Sequence, residues 1–180
     1  MKTSKVLLFA ILFTTTVAFL SSCGGGSSEN SSEGEATSEA APVEEAPAAA
    51  DTVFLTIEGN DLMQFNLKEL KVMEGQIVKL TLVHSGQMAV EAMGHNWILL
   101  DKGTDKGAFG QAAIAAREND YVPQEGEMAD AILAYTGLVG GGEETSVVFT
   151  APSFGYYDYI CSFPGHYAIM QGTLVVEPSA

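Results

Sequence analysis

Four side chains in this sequence have the chemistry to share a soft metal ion. Within ten residues, Cys161-Ser-Phe-Pro-Gly-His166-Tyr-Ala-Ile-Met170 offers a thiolate, an imidazole and a thioether. A second imidazole, His95, lies far upstream in Met93-Gly94-His95-Asn96-Trp97. Two imidazoles, one thiolate and a weak axial thioether are the donor set of a trigonal copper site that transfers electrons. Copper(I) favours sulfur and copper(II) favours imidazole nitrogen. A mixed set held rigidly suits both valences adequately, so little has to move when an electron arrives. Cys161 must bind as thiolate, and a bound metal ion lowers its pKa. The thioether of Met170 is neutral, which helps to hold the reduction potential up.

Taken singly, each residue has an ordinary explanation. Cys161 could be a small buried hydrophobe at a strand end, His166 a loop residue and Met170 a core filler. The joint spacing decides for a metal site. Zinc is the other candidate ion, because Cys and His bind it too. Methionine is a poor zinc ligand and no second cysteine is on hand, so zinc ranks behind copper.

Such donors need a stiff frame, and the sequence supplies strand patterns. Gln76 to Val83 alternates, with Val78, Leu80 and Leu82 on one face and Lys79 and Thr81 on the other. Thr52–Ile57, His95–Leu100, Ala129–Tyr135, Thr145–Thr150, Tyr156–Cys161 and Gly172–Glu177 are further strand candidates. Gly59-Asn60-Asp61, Glu74-Gly75, Gly140-Gly141-Gly142 and Pro152 to Gly155 mark turns. The pattern predicts an all-β, two-sheet antiparallel sandwich. Alanine-rich Ala108 to Arg117 departs from it and suits a short helix between strands. The ligand loop leaves one strand at Tyr159 and enters another at Gly172, with Pro164 and Gly165 turning it tightly.

The residues from about Thr56 to Val176 closely resemble the azurins, bacterial blue-copper proteins of the cupredoxin family. Four segments carry the likeness: Ile57-Glu-Gly-Asn-Asp-Leu-Met-Gln-Phe-Asn66, Met93-Gly-His-Asn-Trp97, Leu138-Val-Gly-Gly-Gly-Glu, and Cys161 to Leu174. The resemblance implies an eight-stranded Greek-key sandwich with a helical flap at Ala108–Arg117. It implies His95, Cys161 and His166 as strong copper ligands, Met170 as one axial ligand and the Gly94 carbonyl as the opposite, weak one. Asn96 would tie the ligand loops together and bond near the Cys161 sulfur, and the Phe163 amide would point there too. Trp97 becomes a core residue, and His84 matches a histidine that is not a ligand. The resemblance also implies an apolar docking patch around His166, drawn from Met63, Met93, Phe163 and Pro164, with Met88 and Gly165 beside them. Azurins usually carry a disulfide near the N-terminus; with only Cys23 and Cys161, this sequence has none to make.

The N-terminal third reads differently. Lys2 and Lys5 precede an apolar run from Val6 to Leu20, too short for a comfortable membrane span. The order basic, apolar, small is that of an export signal, here residues 1–22. Leu20-Ser21-Ser22-Cys23 resembles a bacterial lipobox, which implies lipid on the Cys23 thiol. Residues 23–50 are mostly glycine, serine, alanine and glutamate, with two prolines and one large aliphatic residue, Val43. Such a stretch cannot bury enough apolar surface to offset its ordering entropy, so it reads as a disordered acidic tether. Its ends would lie about 30 Å apart on average. Residues 51–180 are then the folded domain.

The chain of 180 residues has 8 basic and 23 acidic side chains, a formal charge of −15. That charge repels phosphate and excludes nucleic acid as a partner. The expectation is a lipid-anchored, monomeric electron carrier of the bacterial periplasm, not an enzyme. It would hold one copper ion that alternates between Cu(I) and Cu(II). Its partners would be c-type cytochromes and copper or haem oxidoreductases. The alternative is a copper carrier or storage lipoprotein, since five methionines remain besides Met1 and Met170. A copper enzyme of the nitrite-reductase kind needs a second copper site, and only His84 is left to build one.

Overall fold

The computed structural model describes residues 52–179. The expected export signal over 1–22, the tether over 23–50 and the lipidation site Cys23 lie outside the described residues.

The described chain forms two sheets face to face. One has strand order β2-β1-β4-β7: β1 is Thr52–Asn60, β2 Gln64–Phe65, β4 Ile77–His84 and β7 Glu144–Thr150. The other has order β3-β9-β8-β5-β6: β3 is Glu69–Met73, β5 Ile98–Leu100, β6 Ile132–Tyr135, β8 Gly155–Ile160 and β9 Gln171–Glu177. Of these nine strands, β2 has two residues and the other eight have three or more. Sequence reasoning missed β2 and β3. It extended the strand at β5 back to His95, whereas His95 makes only an isolated bridge to Val139.

The antiparallel expectation needs correcting. β1 runs parallel to β4, and β3 runs parallel to β9. After β2 the chain crosses to β3 in the second sheet and back to β4 in the first, so β4 lies beside β1 in the same direction, and the last strand, β9, lies beside β3 in the same way.

Alternation places the core. Val78, Leu80, Leu82 and His84 are the buried positions of β4. Beside them Ile57 and Gly59 are buried at the end of β1, and the register sets Gly59 opposite His84. The period of two therefore carries a histidine and a glycine to the end of the hydrophobic row. From the other sheet come Leu99, Tyr159 and Leu174, with Trp97 just before β5.

A second, smaller core explains why Ile98-Leu99-Leu100 is apolar throughout. Leu99 faces the main core, while Ile98, Leu100 and Ile160 pack against Phe109, Ala113 and Val122 of the flap. A strand covered on both faces has no polar side. The flap helix α2 spans Lys106–Ala115, two residues earlier than the sequence pattern placed it. Asp105 sets its start by accepting the amides of Gly107 at 2.8 Å and Ala108 at 3.0 Å. Two short helices, α1 (Val90–Met93) and α3 (Glu127–Asp130), complete the described elements with a 3-10 turn at Arg117–Asn119. Residues 129 and 130, expected in a strand, thus lie in α3, and the strand begins at Ile132.

Candidate metal centre

Three loops meet at one end of the sandwich. The first follows α1 and carries Gly94, His95 and Asn96. The second runs from Cys161, just past β8, to Met170, just before β9. The third is the turn between β1 and β2 around Asn60. Sequence reasoning took Gly59-Asn60-Asp61 only as a turn, although Gly59 and Asn60 both serve the site.

The ligand loop is built tightly. Pro164 and Gly165 occupy the central positions of a turn closed by the His166 amide donating to the Phe163 carbonyl at 2.9 Å. Gly165 has φ of 85°, the left-handed value that a type II turn needs at its third residue. The Met170 amide then donates to His166 at 2.8 Å, and the Cys161 amide donates to Met170 at 2.9 Å. The loop is thus pinned across its base, with Cys161 and Met170 adjacent.

The side chains of His95, Cys161 and His166 converge. Their ligand atoms all lie within 4.8 Å of one another, and all three residues are buried. The Cys161 Sγ is 3.5 Å from His166 Nδ1, 3.9 Å from His95 Nδ1 and 3.9 Å from the Gly94 carbonyl oxygen. His95 Nε2 lies 3.0 Å from the Asn60 carbonyl, which leaves its Nδ1 free to face the sulfur. A second hydrogen bond of this kind fixes the tautomer and ring orientation of a metal-binding imidazole. His95 is also stacked on His84, with ring centroids 4.2 Å apart. Met170 is buried, and its methyl group and the His95 ring edge both press on Gly59. A Cβ added there would meet His95 Cδ2 at 2.7 Å and Met170 Cε at 2.8 Å.

Burial sets the protonation states. It lowers the pKa of His95 to about 4, against the opposing pull of the Asn60 carbonyl. It lowers that of His166 to about 4 as well, helped by the neighbouring His95 and His84. The Cys161 thiol is pushed up to about 12 by burial, opposed by the Asn96 and Phe163 amides that face the sulfur. Neutral imidazoles are ready donors, and a thiol this reluctant to ionise needs a cation to become thiolate.

Asn96 is fully bonded. Its Oδ1 accepts the Ser162 amide at 2.8 Å, and its Nδ2 donates to Ser162 Oγ at 2.9 Å and to the Asp120 carbonyl at 3.1 Å. Ser162 and Asp120 had not been singled out from sequence. Of the expected docking residues, Phe163 is buried, 7% exposed, with its ring against Tyr121 and His166. Met63, Met93 and Pro164 are half-buried, while Met88 and Gly165 are exposed. Leu62 and Ile169 are exposed too, and sequence reasoning passed over both.

A compact sulfur–nitrogen set with two neutral imidazoles suits copper, and the comparisons with known proteins agree. Residues 51–177 match the family model described as copper binding proteins, plastocyanin/azurin family. The chain is 41% identical over 133 residues to an azurin of Achromobacter denitrificans, covering 71% of this chain and 87% of that one. It is 32% identical to an azurin of Pseudomonas aeruginosa, covering 73% and 90%. Among solved structures it resembles auracyanin A, a blue copper protein of Chloroflexus aurantiacus. The TM-score is 0.62 at 35% identity, covering 70% of this chain and 99% of that one. Matched length, sandwich and donor set lead to one conclusion: the chain belongs to the plastocyanin/azurin family of copper-binding proteins, electron carriers that work through a single copper ion.

Proposed function

We propose that this protein is a membrane-tethered carrier of single electrons in the bacterial periplasm. The observation that carries the reading is the buried convergence of His95, Cys161 and His166. In this reading those three residues would be the strong ligands, with Met170 and the Gly94 carbonyl as weaker ones. A bound copper ion supplies the one-electron couple Cu(I)/Cu(II). The protein's part is to hold the donors still. The Asn60 carbonyl fixes one imidazole, the 163–166 turn fixes the other, and the Asn96 and Phe163 amides stabilise the sulfur as thiolate. Donors fixed in advance need little rearrangement when charge changes, which keeps the transfer barrier low.

Met63, Met93 and Pro164, with Leu62 and Ile169, supply an apolar surface on which a partner could rest, and Phe163 backs it from within. Contacts between redox partners are small, so a modest patch suffices. The partners in this reading are c-type cytochromes and copper or haem oxidoreductases, met by a monomer that the acylated Cys23 holds at the membrane. Stable attachment needs more than one acyl chain, at about 0.8 kcal/mol per buried CH₂.

The test is the visible spectrum of the oxidised, copper-loaded protein. An intense blue band that bleaches on reduction and returns over many cycles is expected. Cys161→Ser should abolish it, and a band surviving that change would overturn the ligand assignment. Loss of copper to a copper-free acceptor protein during cycling would favour metal delivery instead. Cys23→Ala should move the protein to the soluble fraction, and continued membrane attachment would refute the anchor.

A further inference from the structure

We propose that Ser162 and Asn96 fasten the helical flap to the metal loops, so that copper binding and flap closure stabilise each other. The inference rests on the copper reading above and adds a coupling to it.

The flap returns to the sandwich through two adjacent left-handed residues, neither of them glycine: Asp120 at φ of 55° and Tyr121 at φ of 61°. Such conformations persist only where the surroundings over-determine them. Here the holding contacts come from the metal loops. The Asp120 carbonyl accepts Asn96 Nδ2 at 3.1 Å, and the Tyr121 carbonyl accepts the Ser162 hydroxyl at 2.7 Å. Asn96 directly follows His95, and Ser162 directly follows Cys161. The Tyr121 ring also meets Phe163 edge-on at 5.2 Å, inside the ligand loop.

The set is closed. Both amide hydrogens of Asn96 are used, one by Ser162 Oγ and one by Asp120. The single Ser162 hydroxyl proton goes to the Tyr121 carbonyl at 2.7 Å, the shorter of its two acceptor contacts, the other being Asn96 Oδ1 at 3.2 Å, while its oxygen accepts from Asn96 Nδ2. Both side chains are buried. Lifting the flap therefore strips its partner from a buried Asn96 amide hydrogen, the costly direction for a hydrogen bond, and leaves the Ser162 hydroxyl only its longer contact to Asn96 Oδ1 at 3.2 Å. Conversely, a metal ion that fixes His95 and Cys161 fixes Asn96 and Ser162 in the poses that grip the flap. Coupling of this kind is reciprocal.

Arg117 supplies the probe, because it is exposed in the 3-10 turn just before the left-handed pair. The full chain is digested with trypsin, with and without copper. Cleavage after Arg117 is followed by mass spectrometry against cleavage after Lys71 and Lys79 in the core strands. Copper should slow cleavage at Arg117 on the order of tenfold more than at the two lysines. In Ser162→Ala that extra protection should fall to about twofold or less, and Ser162→Thr, which keeps the hydroxyl, should restore it. Equal protection at all three sites in a wild-type protein that turns blue overturns the coupling alone. Full extra protection in a blue Ser162→Ala protein overturns the role of Ser162. A protein that stays colourless at full copper loading overturns the copper reading and this inference with it.

Discussion

His84 lies flat against His95: the ring centroids are 4.2 Å apart and the planes differ by 19°. His84 is itself pinned, with Nε2 2.8 Å from the Met93 carbonyl and Nδ1 accepting the Gly86 amide at 3.1 Å. The end of β4 is thereby a platform for a ligand, bonded to the loop that follows it and to the end of α1. His84→Ala would leave a void under His95 and strand the Met93 carbonyl and the Gly86 amide. The expected loss is on the order of 2–4 kcal/mol in the copper-free protein, read from the denaturant midpoint. The single buried tryptophan, Trp97, reports the transition by its emission. An unchanged midpoint would mean that the platform bears no load.

Gly59 faces the site from the neighbouring strand. Its missing side chain is the space that His95 and Met170 occupy. In Gly59→Ala the His95 ring cannot yield easily, being bonded to Asn60 and stacked on His84. The Met170 methyl, at the end of a flexible chain, yields first. Overpacking of this sort costs about 1–3 kcal/mol. The substitution should leave copper bound but shift the reduction potential and the visible spectrum, as Met170→Ala should. An unaltered spectrum and potential would show that Met170 does not act on the metal.

How far the sequence discloses the centre follows from what each residue depends on. Cys161, His166 and Met170 are close in the chain, and their spacing is itself the signal. His95 lies 66 positions before Cys161 and enters only because imidazoles are scarce in this chain. Gly59, Asn60, Ser162 and Asp120 act through the space they leave or through backbone carbonyls and a hydroxyl. Nothing in their residue type announces such roles. Strand β4 was legible because one of its faces is covered and the other is wet. Strand β3 was not, because five residues with two buried positions, Leu70 and Val72, make a weak alternation. The parallel pairings were illegible for another reason. Strand direction depends on which strands a crossover brings together, and local periodicity carries no record of that.

Stability of the copper-free protein should fall in mild acid. His95 and His166 each have a folded pKa near 4 against an ordinary value of 6.5. Between those values the unfolded chain binds more protons than the folded one, so folding weakens as pH drops. Their contribution is complete above about pH 6.5 and is lost as pH falls through about 4. Denaturant midpoints measured from pH 7.5 to 4 should therefore decline. His166→Gln should flatten part of that decline, and an equally steep decline in the variant would mean that His166 is not held neutral by burial.

Copper binding near neutral pH should release about one proton per ion. Both imidazoles are already neutral at pH 7, so they have no proton to give up. Cys161, pushed up to about 12, is fully protonated and must lose its proton to become a ligand. Calorimetric titration of the copper-free protein with Cu(II), repeated in buffers of different ionisation enthalpy, counts the protons. Below pH 5 the count should rise toward three as both histidines begin to carry protons that the metal displaces. A count near zero at pH 7 would mean that the thiol is not a ligand or is ionised beforehand. A count of two or more at pH 7 would place a protonated imidazole in the copper-free site and contradict the burial argument.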